Sequence, residues 1–143
     1  MTYHKMENLS KYKEKLASAG LRATKQRLMV CKLLFGQKQT FHFNIEDISR
    51  LANKSFNKKI SLATIYNTVN EFKKKGYLKE ISLKGNKTFY DTNTKHHHHF
   101  YDEDMSQLMD IEDKNVSINY LPKIPNGKKI RSVEVLVKIE DIK

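Results

Sequence analysis

The stretch Ser61-Leu-Ala-Thr-Ile-Tyr-Asn-Thr-Val69 decides how the chain reads. Ser61 is placed to cap a helix, its hydroxyl accepting from a free backbone N–H in the first turn. Leu62, Ile65, Val69 and Phe72 then recur at helical spacing as one apolar stripe, and Lys73-Lys74-Lys75-Gly76 supplies a basic last turn and a left-handed stop. Between the apolar positions stand Thr64, Tyr66, Asn67, Thr68 and Asn70, uncharged and hydrogen-bonding, where a lysine-rich chain would ordinarily carry lysine.

Downstream, residues 77–81 and 87–90 read as two strands around the turn Lys84-Gly85-Asn86. Upstream, a helical pattern covers residues 8–19 and stops at Gly20. A second begins at the cap Thr24, shares Leu28, Cys31, Leu34 and Phe35 on one face, and closes at Gly36. A third opens at Asn44, with Glu46 and Asp47 favourably placed at its positive end and Ile45, Ile48 and Leu51 turned inward. Four helices followed by a hairpin with a basic tip describe a winged helix.

Charge gives that fold a partner. Lys and Arg total 27 against 16 Asp and Glu, a net +11. Up to residue 90 the chain holds 19 basic and 6 acidic residues, a net +13, while the remainder holds 8 and 10, a net −2. A genome-wide bias toward lysine would fall on both parts, so the asymmetry points to a polyanion for the first part alone. A polar, uncharged helix face suits the major groove of double-stranded DNA, where side chains must reach base edges. Lys84 and Lys87 at the wing tip would then lie beside phosphate.

Other classes are disfavoured. A single cysteine, Cys31, rules out an intrachain disulfide and any Cys-rich zinc cluster. No run of ~18 apolar residues is present to span a membrane, and no basic-then-apolar leader pattern opens the chain, so a cytoplasmic location is expected. No Gly-rich phosphate loop, nucleophile elbow or His-Glu-x-x-His motif supports an enzyme.

Four consecutive histidines, His96 to His99, follow the wing. Side chains alternate on a strand, so His97 and His99 share one face and His96 and His98 the other. Each pair can offer imidazoles to a common ion of the Fe, Mn or Zn type. Candidate partners are Asp91 at the end of the wing strand, Asp110 in Leu108-Met-Asp-Ile111 on an expected neighbouring strand, and His42 at the turn before the third helix.

The segments Gly20-Leu-Arg-Ala-Thr-Lys-Gln-Arg27, His42-Phe-Asn-Ile-Glu-Asp-Ile48 and Ser61-Leu-Ala-Thr-Ile-Tyr-Asn-Thr-Val69 resemble, in order and spacing, the ferric uptake regulator family. The resemblance implies that Tyr66 and its neighbours Ser61, Thr64 and Asn67 lie in the major groove and that Arg22 reaches the minor groove. Where the family often has arginine after the tyrosine, this chain has Asn67, which can pair with adenine. The resemblance also assigns His42, Asp91, His97, His99 and Asp110 to one Fe(II) or Mn(II) site, which Zn(II) could fill in vitro. Metal would then lock the angle between the two domains and set the spacing of recognition helices in a dimer.

Departures from the family carry further expectations. Asp102 and Met105 stand where a first Cys-x-x-Cys pair would be, so no structural zinc is expected. No histidine follows His99, and His96 and His98 lack obvious partners for the family's additional site. His-His-His-Phe-Tyr at 97–101, Leu-Met-Asp-Ile and Leu-Pro-Lys-Ile-Pro resemble the haem-sensitive iron response regulator branch. That resemblance implies haem as effector, His96, His97 or His98 as axial ligand, and a haem-synthesis enzyme as delivering partner. A direct Fe(II) or Mn(II) sensor, of the iron-repressor or peroxide-sensor kind, is the alternative. Cys31 precedes Lys32 rather than proline and lies on a buried face, so it reads as core.

Beyond the histidines, residues 116–120 read as a strand, Leu121-Pro-Lys-Ile-Pro-Asn-Gly127 as a rigid connector, and residues 131–139 as a strand with Val133, Val135, Val137 and Ile139 on one face. About 50 residues make too small a core to stand comfortably alone. A homodimer would cover the exposed face and match a palindromic operator. The expected architecture is α+β: a winged-helix DNA-binding domain over residues 1–91, then a small α/β dimerisation and metal- or haem-sensing domain over residues 92–143.

Overall fold

A computed structural model describes residues 2–55 and 59–143 of the chain. They divide into two units, one ending at Thr94 and the other running Lys95–Lys143. No helix of the described residues is long and apolar enough to cross a membrane.

In the first unit α1 (Thr2–Ser18) begins six residues before the expected start and ends where predicted, with Gly20 left-handed. α2 (Lys25–Phe35) starts at the predicted cap, the Thr24 hydroxyl accepting from Arg27 N at 3.3 Å. Gly36 ends it for a reason the sequence did not indicate. Its φ is −91°, open to any residue, but a Cβ would stand 2.5 Å from the Lys32 carbonyl oxygen and 2.7 Å from the Tyr12 hydroxyl. The glycine serves a close approach rather than a left-handed turn. The buried face of α2 is Val30, Cys31, Leu33 and Leu34, with Leu28 and Phe35 only half-buried.

α3 (Ile45–Ser55) buries Ile48 and Ala52, whereas the expected core residue Leu51 faces solvent. α4 (Leu62–Lys75) carries the predicted cap at both ends. Ser61 Oγ accepts from Thr64 N, and Gly76 at φ 88° lets its own N–H and that of Tyr77 return to the carbonyls of Lys73 and Phe72. Its buried stripe is Ile65, Thr68, Val69 and Phe72, which corrects the expected one in two places. Leu62 is 54 % exposed. Thr68 belongs to the core, its hydroxyl donating to the Thr64 carbonyl at 2.7 Å so that no polar group is left unpaired there.

The wing is a three-stranded sheet in the order β1-β3-β2, from β1 (His42–Phe43), β2 (Lys79–Leu83) and β3 (Lys87–Asp91). β2 starts two residues later than expected because Tyr77 is spent in the turn that ends α4. β1 was expected as a turn. It pairs antiparallel with β3, bringing His42 opposite Asp91 and Phe43 opposite Tyr90, whose rings stack at 5.5 Å. Four helices that pack on one another and share a core with Phe43 and Tyr90 of this sheet make a winged helix, as the sequence indicated.

In the second unit β4 (His97–Asp102) and β5 (Gln107–Glu112) form an antiparallel hairpin, and β6 (Leu136–Ile139) lies parallel to β4, giving the order β5-β4-β6. Residues 116–120, expected as a strand, join no ladder among the described residues, and of the expected strand 131–139 only Leu136–Ile139 pairs. The described unit is sheet with one 3-10 turn, Asp113–Asn115, rather than α/β. Pro122 and Pro125 remove two backbone donors from the segment between β5 and β6, which stops that segment from continuing as helix or ladder.

Phe72 is fully buried at the junction of α4 and α2, edge-on to Phe35 at 5.1 Å. Phe72→Ala is expected to destabilise the folded chain by about 3–5 kcal/mol in urea unfolding followed by circular dichroism. Leu62→Ala should stay within about 0.5 kcal/mol, since the side chain has little burial to lose; equal effects at the two positions would contradict the corrected stripe. Burial pushes the Cys31 thiol up to about 12 despite the pull of Lys15, and its Sγ approaches the Tyr12 carbonyl at 3.9 Å. The thiolate is therefore absent well above the pH where a free thiol ionises, so a disulfide reagent at mildly alkaline pH should leave the folded chain untouched and react at once on unfolding.

Candidate metal centre and nucleic-acid face

The pleat of β4 sorts the histidine run as predicted. His97 and His99 lie on one face with ring centroids 4.4 Å apart, and Asp110 of β5 stands directly opposite His99 in the antiparallel register. The Asp110 carboxylate is 3.2 Å from His97 Nε2 and 3.4 Å from His99 Nε2. Both imidazoles are buried, while Asp110 is partly open to solvent.

The protonation of His97 follows from its other nitrogen. Nδ1 lies 2.6 Å from the Lys95 carbonyl oxygen, which can only accept, so Nδ1 carries the hydrogen. In the neutral ring Nε2 is then a lone pair turned toward a carboxylate oxygen. Two electron-rich atoms at that separation call for a cation shared between them, either a second proton or a metal ion. A bond of about 2 Å from each ligand places two ligands of one ion about 3 Å apart, as found here. A ring fixed by a carbonyl at its far nitrogen is also the usual outer-shell support of a metal-bound histidine.

The first unit holds a matching pair. His42 and Asp91 are cross-strand partners on β1 and β3, with Nε2 3.1 Å from Oδ2. Asp91 is fully buried and its other oxygen accepts from Asn93 N at 2.8 Å. Burying a carboxylate is costly unless each oxygen has a partner, and the short strand β1 is what supplies the imidazole. Thr92 secures that strand, its hydroxyl accepting from Phe41 N at 2.9 Å and its N–H donating to the Phe41 carbonyl at 3.2 Å.

His96 and His98 occupy the other face of β4 and have a partner that sequence reasoning missed. Asp113 Oδ1 lies 2.9 Å from His98 Nε2 and 3.4 Å from His96 Nε2. The register contained the signal: His98 pairs with Ile111, so Asp113 falls two residues on along the same side. Cys31 lies in the core of the first unit and the sequence holds no second cysteine, so a four-cysteine zinc site has no ligands here.

On the helical face, Tyr66 and Asn67 are exposed on the first turns of α4. The hydroxyls of Ser61 and Thr64 bond each other at 2.8 Å. Arg22 is exposed, its carbonyl accepting from the Arg27 guanidinium at 3.1 Å. Lys84 and Lys87 are exposed at the wing tip, whose turn is formed by Gly85 and Asn86, both with positive φ. Lys73 of α4 pairs with Glu80 of β2 at 2.6 Å, and that hydrogen bond holds the ammonium above its ordinary value. The pair ties the end of α4 to the base of the wing. Thr68, expected among the groove-facing residues, is buried and unavailable to a ligand.

Comparison with known proteins agrees with this arrangement. A model of the ferric uptake regulator family matches residues 18–139. A ferric uptake regulation protein of Haemophilus ducreyi is 30 % identical over 103 residues, 71 % of this chain and 68 % of that protein. A peroxide-responsive repressor, PerR, of Staphylococcus aureus is 31 % identical over 97 residues, 68 % of this chain and 64 % of that protein, so the chain spans somewhat less than two-thirds of that relative. In fold, the chain is similar to the Vibrio cholerae ferric uptake regulator with a TM-score of 0.69 at 20 % identity, covering 90 % of this chain and 98 % of that one. A winged helix with a His/Asp-bearing sheet, matched by the family model over most of its length, places this chain in the ferric uptake regulator family.

Proposed function

We propose that the chain is a metal-responsive transcriptional regulator that binds double-stranded DNA as a homodimer and senses Fe(II) or Mn(II) directly. The observation that carries the reading is the pair His97–Asp110, where a ring fixed by the Lys95 carbonyl turns a lone pair toward a carboxylate. Family membership argues for a regulator rather than an enzyme.

The proposed ligand set is His42, Asp91, His97, His99 and Asp110. Nitrogen and carboxylate donors without thiolate suit Fe(II) or Mn(II), and Zn(II) would also be accepted in vitro. When bound, the ion supplies positive charge that neutralises the two buried clusters together. His42 and Asp91 then orient β1 and β3, the strand that begins with the wing residue Lys87, while His97, His99 and Asp110 hold β4 and β5. Because the set draws on both units, ligation would favour one mutual arrangement of them, and only an ion with higher affinity for the DNA-competent arrangement shifts the population. Tyr66, Asn67, Ser61 and Thr64 are the proposed major-groove readers, Arg22 the proposed minor-groove contact, and Lys84 and Lys87 the proposed phosphate contacts.

The homodimer rests on the second unit's sheet. Met109, Phe100 and Val137 are register neighbours across β5, β4 and β6, and all three are exposed. A continuous exposed apolar row across a small sheet marks a surface that a partner can cover, and a second copy also matches a palindromic operator.

The haem-sensing branch, with haem held by His96, His97 or His98 and delivered by an enzyme, finds less support. The relatives reported above are an iron regulator and a peroxide-responsive repressor. Both ring nitrogens of His98, one of the three proposed axial ligands, are engaged, by Asp113 and by Val135 N. An axial ligand needs a free nitrogen.

The test is fluorescence anisotropy of labelled DNA from an iron-control promoter. Mn(II) should drive binding, a chelator should reverse it, and stoichiometric haem added to the Mn(II)-loaded complex should leave it intact. His97→Ala should raise the Mn(II) concentration needed by about tenfold or more. Binding indifferent to chelation would refute metal sensing, and release by haem but not by metal-free porphyrin would restore the haem branch.

A further inference from the structure

The His96–His98–Asp113 cluster has the residue types and spacing of a second metal site, yet its hydrogen bonds do not suit one. We infer that His98 is a positioning residue that carries its proton on Nε2 and fastens β6 to the strand presenting His97 and His99. The cluster is then a hydrogen-bonded lock that takes no metal.

The argument turns on which atom meets each Nδ1. The backbone N–H of Val135 points at His98 Nδ1 from 2.9 Å. A backbone amide can only donate, so Nδ1 must offer its lone pair and the ring hydrogen lies on Nε2. That Nε2–H donates to Asp113 Oδ1 at 2.9 Å, and the ring is almost wholly buried. A metal at Nε2 would have to displace this hydrogen while Nδ1 still serves Val135, leaving an imidazolate. The alternative, a ring turned over to free Nε2 as an acceptor, would take the acceptor away from the part-buried N–H of Val135. One residue earlier, His97 has the opposite tautomer, because its Nδ1 meets a carbonyl. The backbone thus prepares one face of β4 for a cation and closes the other.

The lock sits where its loss would be felt. Val135 immediately precedes β6; its N–H is held by the His98 ring and its carbonyl accepts from His99 N at 3.1 Å. The side chain of His98 therefore stands in for a backbone acceptor at the point where the β4–β6 ladder begins. Asp113, in the 3-10 turn after β5, is drawn to the same ring. His98 of β4 so ties together the residue before β6 and the turn after β5 on the face behind the proposed ligands. This role rests on the metal reading only for its consequence; the tautomer does not depend on it.

The experiment is long-range proton–nitrogen NMR of histidine-labelled full-length chain, first without metal and then titrated with Zn(II). Without metal, the protonated nitrogen should be Nε2 in His98 and Nδ1 in His97. On titration the His97 and His99 rings should shift at a single equivalent of zinc per protomer, with His98 keeping its Nε2–H through a second equivalent. His98 protonated on Nδ1, or losing Nε2–H to a second zinc that Asp113→Asn abolishes, would overturn the inference. If no ring responds to zinc, the metal reading fails while the metal-free spectrum still decides the tautomer. As a second readout, His98→Ala should weaken zinc binding at the His97 face by about tenfold without removing a ligand, as outer-shell losses do, and His98→Gln, which can still accept and donate, should recover part of it. Unchanged zinc affinity in a folded His98→Ala chain would reject the positioning role.

Discussion

The molecule depends on what the backbone offers to the imidazole nitrogens of one strand. In β4 the pleat sends consecutive histidines to opposite faces, and the atom waiting at each Nδ1 decides what the other nitrogen can do. A carbonyl at His97 leaves Nε2 with a lone pair that, beside Asp110, can be given to a cation; an amide at His98 makes Nε2 a donor of hydrogen to Asp113. Two residues of the same type, adjacent in sequence and equally buried, are thereby given opposite chemistry. Side-chain identity alone, or distances between candidate ligand atoms, would treat the two faces as equivalent.

The same logic extends to the winged helix. A buried carboxylate, Asp91, is tolerable because β1 brings His42 to one oxygen and the chain turn brings the Asn93 amide to the other. β3 links that pair to the wing: its last residue is Asp91 and its first is Lys87 at the exposed tip. Glu80 and Lys73 brace the wing against α4 from the side.

Much of this was legible in the sequence. The caps Thr24 and Ser61, the left-handed stop at Gly76 and the alternation of the histidine run follow from local rules and were found where predicted, and the wing hairpin was found with its first strand two residues further on. The proposed ligand residues were named from residue type, expected strand pairing and resemblance. What escaped was set by tertiary context. Leu62 and Leu51 fit an apolar stripe by spacing, but the core reaches neither side chain, whereas Thr68 could be buried because its hydroxyl is satisfied within its own helix. β1 is two residues long and exists only because β3 lies beside it. The expected strand at 116–120 has good β composition but no partner ladder among the described residues, and composition does not supply one. Asp113 was recoverable in principle from the β4–β5 register. The tautomers of His97 and His98 were not, since they depend on backbone atoms of Lys95 and Val135 that no pattern of side chains specifies.

The central proposal is the ligand set itself, in which His42 belongs with Asp91, His97, His99 and Asp110. X-ray absorption at the manganese edge, on the Mn(II)-loaded full-length protein and its His42→Ala variant, tests it most directly. The account predicts a nitrogen- and oxygen-only shell with three imidazoles in the parent and loss of an imidazole contribution in the variant. An identical shell in both proteins, or a shell that retains every imidazole when His42 is gone, would contradict it.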